Sequence, residues 1–116
     1  MPHSWRNFEL KTSPELATSR AGGASVVFDD IIYLIGGRKG RTFYGDILAL
    51  NTRKGSRAAW ELVSEASPGF SPRAGHTATL VGNEIWVIGG SNNETIFGDV
   101  SVFDLGKRAW RFPMPK

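Results

Sequence analysis

Apolar and polar positions along this chain alternate in short runs, broken by Gly, Asn, Pro and Ser, and no helical periodicity runs through them. Ile31-Ile32-Tyr33-Leu34-Ile35 and Ile85-Trp86-Val87-Ile88 are almost continuously apolar, the pattern of a strand buried on both faces. The spacing predicts strands over residues 23–28, 31–36, 46–51 and 59–63, and again over 75–81, 84–89, 99–104 and 109–112. Asp29-Asp30, Gly82-Asn83 and Gly106-Lys107 fall where tight turns must join them. Each set of four then makes a small twisted antiparallel sheet. Residues 4–10, around Trp5, read as one further strand of the fourth type, without the three that should precede it.

The two sets are copies of each other. Shifted by 53 positions (73 minus 20), Arg20-Ala21-Gly22 falls on Arg73-Ala74-Gly75, Gly36-Gly37 on Gly89-Gly90, and Gly45-Asp46 on Gly98-Asp99, without a gap. About ten identities fall within residues 20–52, and most other columns keep apolar opposite apolar. Trp60 and Trp110 lie only 50 apart (110 minus 60) because the last turn of the first copy is longer. A repeat of roughly 50 residues cannot bury its apolar faces alone. The expected organisation is residues 1–19 as a leading strand and linker, 20–66 as the first repeat and 67–116 as the second.

Composition narrows the function classes. The 116 residues are one domain's worth of chain, with a globular balance of 41% hydrophobic and 22% charged positions. No apolar run approaches the ~18 residues of a membrane-spanning helix. There is no cysteine, which removes disulfides, thiolate metal sites and cysteine nucleophiles together. That absence, with no secretory leader pattern in the first residues, favours a reducing, cytoplasmic compartment. The net charge of +3 is spread out except at Arg38-Lys39-Gly40-Arg41 and at Arg53-Lys54 with Arg57. A solvated surface accounts for these clusters better than a nucleic-acid footprint, which needs a denser stripe.

The motifs resemble those of the kelch family. Each copy has a double glycine after an apolar strand (Gly36, Gly37; Gly89, Gly90), then an aromatic with Gly-Asp (Tyr44, Gly45, Asp46; Phe97, Gly98, Asp99), then a tryptophan opening the last strand (Trp60; Trp110). Arg73-Ala74-Gly75-His76-Thr77-Ala78 is similar to the family's opening strand in full, whereas the first copy has Gly23 in place of His76. The resemblance implies an all-β fold, two four-stranded blades of a β-propeller. Such rings usually hold about six blades, so the two copies and the leading strand read as cut from a longer array, or as a unit that self-associates.

The repeated residues read as scaffold. The glycine pairs open no helix, so they make no phosphate cradle and instead let backbones approach closely. His76 reads as a structural hydrogen-bonding residue. Asp46 and Asp99 are candidate partners for Arg20 and Arg73, within or between blades, and Trp60 and Trp110 as filling between sheets. No catalytic residue, metal ligand set or cofactor site is expected. The two copies differ most after the double glycines, where one loop carries Arg38, Lys39 and Arg41 and the other Asn92 and Asn93. By the resemblance these loops line a rim where partners dock. The expected function is a protein-binding module, a scaffold or substrate-recognition element, with the cationic loop contacting acidic peptide segments. The alternative is a piece of a kelch-propeller enzyme, such as a sugar isomerase or an iron-dependent specifier-type protein. That would need unique acidic, His or Arg residues converging from several blades.

Overall fold

The computed structural model describes residues 20–114. The expected leading strand around Trp5 lies outside them. Eight strands form two sheets. The first holds β1 (Ala24–Phe28), β2 (Ile31–Lys39), β3 (Thr42–Asn51) and β4 (Trp60–Ser64); the second holds β5 (Thr77–Val81), β6 (Glu84–Ile88), β7 (Val100–Asp104) and β8 (Ala109–Met114). Each sheet is an antiparallel meander with its strands in chain order. The two blades are therefore as expected.

The turn residues explain the hairpins. Asp29 and Asp30 both adopt positive φ, the demand of a type I′ turn joining β1 to β2. At the matching place in the second sheet only Gly82, the first central residue, has positive φ, which fits a type II′ turn instead. The longer turn of the first copy is a short 3-10 helix, Thr52–Arg57, whose first turn is capped by the Asn51 side chain accepting from the Arg53 N–H. Arg53 reaches back to Asp29 and Asp30, at 2.7 and 3.0 Å.

The sheets stack face to face. Val26, Tyr33, Ile35 and Ile47 of the first meet Ile85, Val87 and Phe103 of the second, with Phe70 of the connecting segment between them. Side chains alternate along a strand, and these positions fall on opposite faces of the two repeats. Tyr33 and Ile35 correspond to Trp86 and Ile88, on the far side of the second sheet, while Ile85 and Val87 correspond to Ile32 and Leu34, on the far side of the first. The sheets are thus stacked in one direction, as successive blades are, and not mirrored back to back.

The seam between them is organised around Arg73. Its N–H donates to the Tyr44 carbonyl and its own carbonyl accepts from the Gly37 N–H, at 3.2 and 2.9 Å, both in the first sheet. Its fully buried guanidinium serves the second sheet: it grips Asp99 with both Nη groups, at 2.6 and 2.9 Å, and donates to the Gly89 carbonyl at 2.9 Å. Phe70 and Phe97 flank it, with centroids 4.5 and 4.0 Å from the guanidinium carbon. Arg20 repeats the arrangement in the first sheet, holding Asp46 at 2.6 and 2.8 Å over the Tyr44 ring. Each Arg–Asp pair is therefore internal to one blade.

His76 is a second clasp. Its Nε2 lies 2.7 Å from the Ile35 carbonyl across the seam. A carbonyl only accepts, so Nε2 carries a proton and donates it across the seam. Burial lowers the His76 pKa, the nearby Arg73 charge lowers it further, and the Ile35 hydrogen bond opposes both. The glycines make room for these contacts. Gly36, at φ +64° in a bulge of β2, would place a Cβ 2.9 Å from both the Arg73 carbonyl and the His76 ring.

Three outcomes are expected. Gly36→Ala should cost about 2 kcal/mol more than Gly40→Ala in urea unfolding, because both have positive φ but only Gly36 is crowded. Arg73→Met should cost about 3–5 kcal/mol by stranding Asp99, and Leu at position 99 should restore part of that loss. For His76, the pKa is lowered on folding from its ordinary 6.5, so the unfolded chain takes up the proton first. Its contribution is complete above about pH 6.5 and is lost as pH falls through the depressed folded value. Subtracting the pH profile of His76→Gln from that of the native chain should isolate a stability difference that shrinks on acidification.

Candidate functional site

The rim candidates differ in structure. The segment after the first double glycine is a hairpin, because β2 and β3 continue through it with Arg38 opposite Phe43 and Lys39 opposite Thr42. Gly40, at φ +61°, and Arg41 form its two-residue tip. A second anchor pairs Arg38 with Ala21 in both directions at 2.8 Å. The hairpin thus carries Arg38, Lys39 and Arg41 outward on paired strands, and all three are exposed. The Arg38 guanidinium sits 5.9 Å from the Phe43 ring centroid.

The segment after the second double glycine is a compact loop. Ser91 pairs with Ala74 and bridges to Ile96, and the Asn92 N–H donates to the Thr95 carbonyl. The Asn92 side chain closes the loop from within. Its oxygen accepts from the Glu94 and Thr95 N–H groups at 2.9 and 3.0 Å, and its amide nitrogen donates to the Pro72 carbonyl at 2.8 Å. Asn93 donates to the Arg41 carbonyl at 3.0 Å. That bond crosses between the repeats and joins the two loops into one surface. Beside it Ile96 is 88% exposed, a feature that alternation alone could not reveal.

Charge separates the two basic clusters. Arg53 is paired with Asp29 and Asp30, and Lys54 lies 3.9 Å from Glu61. Among the described residues, no carboxylate forms a salt bridge with Arg38, Lys39 or Arg41. Among the described residues, these three exposed cations form no salt bridge, and Ile96 of the adjoining loop is exposed as well.

The repeated motif residues lie in the scaffold. Gly36, Gly37, Asp46, His76, Gly89 and Asp99 take part in the seam and the Arg–Asp pairs described above. Gly90, at φ +97°, lets the His76 backbone pass, since a Cβ there would sit 2.9 Å from His76 Cβ. Trp110 stacks on Phe70 at 4.1 Å between ring centroids, with Phe112 on its other side at 6.2 Å. Trp60 opens β4 and is half-buried, opposite Leu50. Phe70, a lone aromatic in the connecting segment, carries no periodic signal, yet it is buried under both Trp110 and Arg73. Among the described residues no three His, Asp or Glu side chains are grouped as metal ligands, and no helix is long and apolar enough to cross a membrane.

Comparison with known proteins agrees with this geometry. Residues 2–116 match the KLHDC2/KLHL20/DRC7 Kelch-repeats domain model. The chain is 36% identical over 92 residues to tip elongation aberrant protein 3 of Schizosaccharomyces pombe, covering 74% of this chain and 8% of that protein. It is 30% identical over 119 residues to human kelch domain-containing protein 3, covering 93% and 30%. It is 28% identical over 125 residues to a rice protein named tRNA wybutosine-synthesizing protein 2/3/4, covering 97% and 12%. The chain thus spans less than a third of each of these relatives. Paired Arg–Asp grips, a double glycine after the second strand of each sheet, two four-stranded blades and the matched domain model together make this chain a member of the kelch-repeat family.

Proposed function

We propose that this chain is a protein-binding module with no catalysis of its own, and that it docks acidic peptide segments on the rim formed by the β2–β3 hairpin and the loop after Gly90. The observation that carries this reading is the contrast between the basic clusters: among the described residues Arg53 and Lys54 have carboxylate partners, though Arg57 forms no salt bridge, whereas none of Arg38, Lys39 and Arg41 forms one. Holding three cations together on a rigid hairpin costs repulsion that an anionic partner relieves. Arg38 and Arg41 supply planar donor forks for carboxylates, and Lys39 a point charge. Ile96 offers an aliphatic contact alongside them. Asn92 and Asn93 contribute by shaping the rim, since their amides already brace the loop and tie it to Arg41.

The family supports protein binding in general, and the charge of the rim supports an acidic partner. The tRNA-related name belongs to relatives of which this chain covers 12%. The same reading includes cover for the two outer sheet faces in the working molecule, by further blades or by a second copy.

A fluorescent peptide rich in Asp and Glu with one central Leu is the direct probe. Replacing Arg38, Lys39 and Arg41 together by Ala should weaken its binding at least about tenfold, each lost contact being worth of order 1 kcal/mol or less. Replacing Arg53 and Lys54 by Ala should leave binding unchanged. Equal loss in both variants, or no loss in the first, would show that the rim is only a solvated surface.

A further inference from the structure

The two outer faces of this structure are the two halves of its own internal seam. On the outer face of the second sheet, Val81, Trp86, Ile88 and Val100 occupy the repeat positions that in the first sheet are Phe28, Tyr33, Ile35 and Ile47, packed in the seam. On the outer face of the first sheet, Val27, Ile32, Leu34, Leu50 and Trp60 correspond to Leu80, Ile85, Val87, Phe103 and Trp110, the other side of that seam. Both faces keep exposed apolar positions around buried central ones: Val27 is 60% and Leu62 43% exposed on one, beside the buried Leu48 and Leu50, and Val81 53% and Ile88 48% on the other, beside the buried Val102.

The glycines give an independent sign of the missing neighbour. In the first repeat Gly36 is crowded by Arg73 and His76, and Gly45 by Phe70 and Pro72. Their counterparts keep the glycine but not the crowding. Among the described residues, Gly89 would bring a Cβ no nearer than 3.6 Å to anything, and Gly98 meets nothing within 4 Å. Gly89 is held at φ +72°, so its conformation alone accounts for part of that choice; Gly98 has no positive φ and no close neighbour among the described residues. The space beside it matches the path that residues 70–73 take over Gly45.

We infer that the occupant is a second copy of this chain, docked head to tail: the outer face of its first sheet against the outer face of the second sheet, with its Arg20-Ala21-Gly22-Gly23 run passing over Gly89. This rests on the reading that both open faces are covered. The contact is heterologous, so copies add until a ring closes. It is also looser than the internal seam. The position of His76 is Gly23 in the incoming sheet, and a Cβ there would lie 3.0 Å from Leu34, where the second repeat has the smaller Val87. The histidine clasp is absent from the intermolecular seam, and the Glu84–Arg111 ion pair makes the receiving face more polar than its internal counterpart.

Two variants separate the faces: Val81→Asp with Ile88→Asp, and Val27→Asp with Leu62→Asp, with Ser in place of Asp should the charge unfold a sheet. In sedimentation velocity the native chain should form concentration-dependent species larger than a dimer, and each variant alone should stay monomeric. Their equimolar mixture should form a one-to-one dimer and nothing larger. A variant that still dimerises alone would overturn the head-to-tail arrangement. A native chain that stays monomeric at all concentrations would overturn the second copy as occupant. An apolar dye then distinguishes the two failures: strong binding, lost in the Asp variants, leaves the faces open for another blade, and no binding removes the need for cover altogether.

Discussion

Arg73 is bound by backbone to one sheet and by side chain to the other, and the geometry of the seam follows from that double attachment. A buried guanidinium is costly unless its donors are met. Here both Nη groups reach Asp99, Nη1 also reaches Gly89, and Nε donates to the Ser71 carbonyl at 3.1 Å. With that satisfied, the Arg73 peptide is positioned to bond Tyr44 and Gly37 across the seam. The double glycine, the Gly-Asp pair and the aromatic before it then have one explanation. Gly37 receives the Arg73 carbonyl, Asp99 holds its charge, Phe97 covers its face, and Gly36 leaves space for it.

This arrangement discounts most of the chemistry that the motif residues might suggest. A duplicated Asp gripped by Arg is not poised as an acid or base, and a neutral, buried His76 bonded to a carbonyl is a clasp. The proposed binding surface lies instead where the repeats differ. The cationic hairpin has an amide-rich loop as its counterpart, and His76 with Val87 has Gly23 with Leu34. In the proposed function the first difference sets what the rim attracts, and in the proposed assembly the second sets how firmly a neighbouring blade is held.

Much of this was legible in the sequence, for identifiable reasons. Strand positions followed from alternation, and the recurrence of Arg20 with Asp46 and of Arg73 with Asp99 marked them as partners. Whether those pairs lay within or between blades was not legible, since both arrangements share the same spacing. The cationic segment reads as a loop because its polar residues have no period; it is a hairpin because Gly40 accepts positive φ at the tip of two continuing strands. Phe70 gives no signal in the sequence because a single aromatic in a Pro- and Ser-containing connection lacks the pattern that identifies core residues. Asn92 and Asn93 read in the sequence only as amides of a polar loop, and the fold shows them spent on Pro72 and on Arg41.

If Arg73 unites the two sheets, they should open as one unit. Native-state hydrogen exchange can read this at four amides: Gly37 and Arg73 in the seam, Ile35 in the first sheet and Val87 in the second. The account predicts a single opening free energy for all four, equal to that of global unfolding. Separate values for Ile35 and Val87, with Gly37 and Arg73 exchanging faster than either, would show two independently stable sheets and contradict it.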